Sequence, residues 1–253
     1  MFGLDPQTVM MAAAVTLFSG FVKGAIGFAM PMIMMSAFGS FLPAHMALAL
    51  LILPTLATNI QQAGRQGLPA ALDSARRYKW HIAMVAVFIF VSAPFARILP
   101  PWLMYLALGL PITVFALWQL AGGHVGLAPR HRRAAEISSG IIGGLYGGIS
   151  GIWGPPLIVY LLAIRAPKQE QIRVQGVVFL LGAAALTLAH LRSGVLNAQT
   201  LPLSALMIVP AFAGMQMGFA VQDRLDVAQF RRWTLVLLVL TGLNLVRRSL
   251  MMG

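Results

Sequence analysis

The chain has 253 residues, 59% of them hydrophobic and 9% charged, with a mean hydropathy of +0.83, which excludes an ordinary soluble domain and marks an integral membrane protein. A formal charge of +12, from 18 Lys+Arg against 6 Asp+Glu, would suggest nucleic acid in a soluble chain. Here the basic residues lie in connectors between apolar runs, where the positive-inside bias accounts for them, and the absence of cysteine excludes disulfides and thiol chemistry.

The N-terminus, MFGLDPQTVMMAAA, lacks a basic n-region and a cleavage site, so it reads as the start of a first membrane segment. Cutting at charges and Pro/Gly clusters gives eight hydrophobic segments, at about 7–37, 43–64, 80–97, 102–121, 135–164, 172–191, 200–220 and 227–246. All are predicted to be helices, since an open strand in hydrocarbon leaves backbone groups unpaired and a barrel would alternate in strands of about ten residues. The fold class expected is therefore an all-α integral membrane protein with no soluble domain.

The first segment contains 20-GFVKGAIGFAMP-31, a charge followed by glycines and a proline inside an apolar run. As one straight helix this segment would reach about 45 Å, beyond a hydrocarbon core of about 30 Å. The second segment ends 53-LPTLATNIQQAGRQG-67, in which Thr55, Asn59 and Gln62 share a helix face. They would line a path or bond to neighbouring helices. The fifth segment is again too long, and it repeats the first: 148-GISGIWGP-155 lies over 24-GAIGFAMP-31 at one constant offset. Later in each half, 192-RSGV-195 resembles 65-RQGL-68. Two matches in order predict two repeats of four segments, residues 1–125 and 126–253, divided within the polar linker 122–136.

Loop charge then bears on topology. If all eight segments cross, the connector Lys and Arg divide ten to seven; if segments 1 and 5 are broken, re-entrant hairpins, they divide thirteen to four. The second division follows the positive-inside rule and makes the repeats inverted, as in many transporters.

A Gly/Pro break at depth exposes backbone groups that only protein or a wet cavity can satisfy, and half-helix N-termini there favour an anion. The substrate-binding residues expected on this ground are Lys23, Gly24, Gly27, Phe28 and Pro31 at the first break. At the second they are Gly148, Ser150, Gly151, Trp153, Gly154 and Pro155, with Thr55, Asn59, Gln62 and Gln175 as further polar groups at depth. Every Asp and Glu lies in a connector or at a segment edge, so Lys23 has no fixed anion at depth to pair with, which suits a mobile one. The alternative is an ammonium that snorkels to an interface, and for the glycines it is close helix packing. His45, His81 and His190 sit near segment ends and read as interfacial. No metal spacing, cofactor motif or G-x-x-x-x-G-K-[ST] loop occurs, and H-E-x-x-H and paired intramembrane aspartates are absent, so no catalytic residues, metal or cofactor are expected.

The motifs 20-GFVKGAIGFAMPMI-33 and 53-LPTLATNIQQAGRQG-67, with 143-GGLYGGISGIWGPPLIVYLL-162 and 190-HLRSGV-195, resemble the TauE/SafE sulfite exporter family of small bacterial transporters with two related halves. The resemblance covers nearly the whole chain. It implies movement of small anions, commonly sulfur-containing ones such as sulfite, sulfonates or sulfoacetate, across the cell (inner) membrane. Phe28 and Met30 depart from a more glycine-rich family pattern and imply a differently shaped first half-site. An anion channel and a carrier of small carboxylates are the alternatives. Expected partners are a small anionic substrate, the lipid bilayer and, as an open alternative, further copies of the chain as a homo-oligomer; nucleic acid is not among them.

Overall fold

A computed structural model of the chain describes residues 5–92, 100–123, 128–150, 152–192 and 194–252. Among these the secondary structure is helical throughout: α1 Pro6–Ile26, α2 Met30–Phe38, α3 Ala44–Gly64, α4 Leu68–Arg77, α5 Lys79–Ser92, α6 Pro101–Leu120, a 3-10 turn Pro129–His131, α7 Arg132–Ser150, α8 Gly154–Ala163, α9 Lys168–Arg192, α10 Thr200–Leu206, α11 Ile208–Arg224 and α12 Val227–Met252. Five stretches are long and apolar enough to cross a bilayer: Pro6–Ile26, Met46–Gly64, Lys168–Arg192, Thr200–Arg224 and Val227–Met251. Shorter apolar helices lie at Lys79–Ser92, Gly109–Leu120 and Gly154–Ala163. The chain is a multi-pass membrane protein.

Helix lengths do not reproduce the eight expected segments one for one. The first long run divides into α1 and α2, and the fifth into α7 and α8. The third falls short of its expected end because 93–99 lie outside the described residues. The connector after the second segment is itself a helix, α4, whose Leu68 and Leu72 are exposed while Ala71 and Ser74 are buried. Leucines four apart beside Asp73, Arg76 and Arg77 form an amphipathic helix of the kind that lies in an interface. Cutting the sequence at charges concealed it.

The helices gather into two compact units. One takes the chain up to Ala71 with Gly176–Leu225; the other takes Leu72–Gln175 with the chain from Asp226 onward. Each unit therefore draws helices from both halves of the sequence.

In the first unit α1 packs along α11. Gly20 and Gly24 on α1 face Gly214 and Gly218 on α11, four residues apart on each helix. A Cβ on Gly214 would stand 1.9 Å from the Leu17 carbonyl oxygen, and one on Gly24 would stand 2.2 Å from that of Met215. Backbones meet where side chains are absent, which is how membrane helices associate when burial of apolar surface gives no net drive. Ser204 ties α10 to α3, donating to the Ala49 carbonyl at 2.7 Å and accepting from the Leu53 N–H at 3.2 Å. At the far end of α3, Arg65 pairs with Asp223 at 2.7 Å, bonds Gln222 and lies over the Phe219 ring at 3.9 Å.

In the second unit α7 packs on α5 and α6 on α12. His81 is fully buried, hydrogen-bonded to Ser139 at 2.9 Å and stacked on Tyr160 at 6.5 Å. An interfacial role, expected from its place near a segment end, is thereby replaced by a packing role. Glu136 accepts the His81 backbone N–H at 3.3 Å, satisfying one of the free donors that open α5. Tyr78 donates to Glu170 at 2.6 Å, and Glu170 also pairs with Arg77 at 3.2 Å. Burial, followed by the Glu170 carboxylate, pushes the Tyr78 phenol well up from its ordinary value.

Candidate functional site

The first break begins where α1 ends. Gly27, at φ 89°, caps it by donating its N–H to the Lys23 carbonyl at 2.6 Å, the left-handed ending that glycine adopts without a Cβ penalty. Two residues later Ala29 is also left-handed, at φ 77°, although it carries a Cβ. Such a conformation costs an L-residue roughly 1–2 kcal/mol, so the surrounding packing holds it: Phe28, Ala29 and Met30 are all buried. Pro31 then occupies the first turn of α2, where its missing N–H is no loss. No side chain caps α2. Among the described residues the N–H groups of Phe28, Ala29, Met30 and Met32 make no hydrogen bond, leaving the partly positive end of the helix unneutralised.

Beside this break lies Lys23, 1% exposed in the last turn of α1. Its Nζ donates to Thr58 Oγ1 at 2.9 Å and to Asn59 Oδ1. Both acceptors are aimed by backbone. The Thr58 hydroxyl proton goes to the Pro54 carbonyl at 2.7 Å, leaving a lone pair for Lys23. The Asn59 amide donates through Nδ2 to the Phe179 carbonyl at 3.0 Å, which turns Oδ1 toward the ammonium. Gln62, one turn further along α3, donates to the Gly27 carbonyl at 3.0 Å and so fixes α3 to the break. The Thr58 hydroxyl also lies 3.7 Å from the sulfur of Met30, the first residue of α2.

No carboxylate neutralises Lys23. Glu170 and Asp223 pair with Arg77 and Arg65, Asp5 caps α1, Glu136 serves α5 and Asp226 accepts from Gln229; Asp73 is exposed on α4. An ammonium has three donors, and among the described residues two of them are used. An exposure of 1% is incompatible with a snorkelling head group. The cation does suit the negative end of the α1 dipole, a structural contribution that leaves its desolvation largely unmet.

The expected residues fall in two places. Lys23, Gly24, Gly27, Phe28, Pro31, Thr55, Asn59 and Gln62 belong to the first unit, and Lys23, Gly27, Asn59 and Gln62 are joined there by hydrogen bonds. Thr55 is buried with an unpartnered hydroxyl among the described residues. Gly24 abuts α11, a contact that accounts for its lack of a side chain. Thr58 was not singled out from sequence, yet it stands three residues after Thr55 and four before Gln62, spacings that put it on the same helix face, so the same pattern would have found it.

Gly148, Ser150, Trp153, Gly154, Pro155 and Gln175 belong to the second unit, and Gly151 lies outside the described residues. Trp153 precedes α8, is 3% exposed, and packs its Cβ against Gly147, the position matching Lys23 in the second repeat. Gly154 and Pro155 open α8 without a side-chain cap. Gln175 is fully buried, and neither side-chain amide atom is hydrogen-bonded among the described residues. Among the described residues the polar cradle around Lys23 has no charged counterpart here.

Such an arrangement can hold a small anion by one ammonium and neutral donors; it supplies neither a nucleophile with a base nor, among the described residues, a metal-binding cluster. A family model described as Sulfite exporter TauE/SafE matches residues 12–245. No curated protein and no solved structure matches the chain.

Proposed function

The chain belongs to the TauE/SafE sulfite exporter family, and from that premise we propose that it is a secondary transporter that moves a small sulfur-containing anion across the cell (inner) membrane by alternating access. The family is one of membrane anion exporters rather than enzymes. The observation that carries the reading is Lys23, buried without a carboxylate beside the uncapped start of α2. The substrate binds at Lys23, with the break residues Gly24, Gly27, Phe28 and Pro31 and the α3 groups Thr55, Asn59 and Gln62 around it. Gly148, Ser150, Gly151, Trp153, Gly154, Pro155 and Gln175 are a separate set, proposed from the sequence repeat to contact substrate in the second repeat.

Repeat architecture is supported by the register of the breaks. α1 ends at Ile26 and α7 at Ser150, α2 begins at Met30 and α8 at Gly154, all at one offset of 124 residues. Gly67 and Gly194, which follow α3 and α9, are both left-handed. The order of a helix, a break, a short helix, a long helix, a short helix and two further helices runs twice. On this basis the repeats run 1–125 and 126–253, are inverted, and dip into the membrane at segments 1 and 5. Sulfite, sulfonates and sulfoacetate are the candidate substrates.

Purified protein in liposomes, offered sulfite, thiosulfate, sulfonates and small carboxylates, tests the reading. Saturable flux of a sulfur anion, lost in Lys23→Ala, is expected. Unchanged flux in that variant would defeat the role of Lys23, and a steady, unsaturable current would make the protein a channel. Single cysteines at Ser40, Leu68 and Pro167 test topology: the last two should label from one face and the first from the other.

A further inference from the structure

Lys23 is the one Lys or Arg near the middle of any hydrophobic segment, and this bears on the charge of what is carried. Its neighbours contribute no second full charge. On α1 the ionisable group besides Lys23 is the capping Asp5 at the opposite end, and α2 and α10 have none. On α11 there are Asp223 and Arg224 in the last turn, the first already paired with Arg65, which follows the end of α3. α3 itself carries His45 at its start; α9 carries Lys168, Glu170 and Arg173 at its start and His190 and Arg192 at its end. The groups around the ammonium itself, the Thr58 hydroxyl and the Asn59 amide, are neutral.

We infer that the substrate crosses as a singly charged anion, hydrogen sulfite or an alkanesulfonate, and that sulfite, sulfate and thiosulfate dianions are rejected. The inference rests on the transporter reading above and narrows it. One negative charge placed on the free donor of Lys23 makes the site neutral. A second leaves a net charge out of water with only neutral donors to meet it, the condition that folded proteins and bilayers tolerate least. The N–H groups of Phe28, Ala29, Met30 and Met32 and the hydroxyl of Thr55, unpartnered among the described residues, offer dipoles to the oxygens of such an ion, not a second ion pair. By the same argument sulfoacetate, a dianion near neutral pH, drops out of the candidate substrates.

The test uses full-length protein in liposomes with four probes: methanesulfonate, which stays singly charged, sulfate and thiosulfate, which stay doubly charged, and sulfite across its second ionisation. Methanesulfonate flux should stay level with pH and be uninhibited by excess sulfate. Sulfite flux should fall about tenfold for each pH unit above that ionisation, following the hydrogen sulfite fraction. Sulfate or thiosulfate flux matching methanesulfonate, or sulfite flux that follows the dianion, would overturn the inference while leaving the transporter reading intact. If no probe exceeds empty liposomes at any pH, the transporter reading itself fails and the inference falls with it.

Discussion

Asn59→Asp changes one nitrogen to oxygen and places a fixed carboxylate where Asn59 now meets Lys23. Two unit charges about 4 Å apart attract by roughly 4 kcal/mol at an effective dielectric of about 20. Burying the new carboxylate costs several kcal/mol, and the Asn59 bond to the Phe179 carbonyl, worth about 1 kcal/mol, is lost. These terms nearly cancel, so unfolding in detergent should shift by no more than about 2 kcal/mol. Function should not survive so well. A substrate must now compete with the introduced carboxylate for the ammonium and forgoes about 4 kcal/mol, which is about three decades in affinity. Asn59→Leu is the control: it removes the same hydrogen bonds, adds no charge, and should lower stability by about 1–3 kcal/mol while leaving affinity within about a decade. Substrate titrations of flux in liposomes, with thermal unfolding of the same preparations, read both quantities. Wild-type affinity in a folded Asn59→Asp protein, or an equal loss in Asn59→Leu, would refute the reasoning.

Lys23→Met removes a desolvated charge from a position 1% exposed, so the variant should unfold at the same or higher temperature while flux falls to that of empty liposomes. Ala29→Gly relieves the left-handed strain at φ 77° and should stabilise the protein by up to about 1 kcal/mol net of the added freedom of the unfolded chain; a lower unfolding midpoint would show that the conformation is unstrained. Gly214→Ala puts a Cβ 1.9 Å from the Leu17 carbonyl oxygen, where only backbone can yield. It should cost at least about 1–3 kcal/mol, visible as loss of monodisperse protein on size exclusion. The Asp5 carboxyl is held below its ordinary value of 3.8, first by the Thr8 hydroxyl and then by the Thr8 N–H. Its folded value being depressed, the cap contributes fully above 3.8 and is lost as pH falls through the lower folded value. Amide exchange in the first turn of α1, corrected for intrinsic rate, should accelerate only there.

Much of the helical architecture was legible because the physics behind it is local. Apolar runs of bilayer length show in composition, and the interruption at 27–29 shows in a glycine able to take φ 89° followed by a proline that opens the next helix. Helix partners were not legible. Gly20 and Gly24, or Gly214 and Gly218, announce a close-packing face through their spacing of four, but nothing local says that these two faces choose each other. Gly24 shows the resulting ambiguity, since the residue type that lets a backbone approach a ligand also lets it approach α11. α4 was hidden by a different cause: Asp73, Arg76 and Arg77 mark a connector by charge while Leu68 and Leu72 carry helical spacing between them. The burial of His81 depends on Tyr160 and Ser139, far away in sequence.

The α1–α11 pairing also has a consequence for synthesis. Thr16 meets the sulfur of Met207 across 191 residues of chain, so at translation rates of about 5–20 residues per second α1 waits about 10–40 s in the bilayer before its mate emerges from the ribosome. During that interval Lys23 can already be sheltered by Thr58 and Asn59, which follow within 36 residues, but the glycine face of α1 stays open to lipid or to any other helix passing through the insertion machinery. Nascent α1 is thus the element whose early mispairing would trap the protein, and slowing elongation after α3 should raise the misassembled fraction more than the same delay after α11.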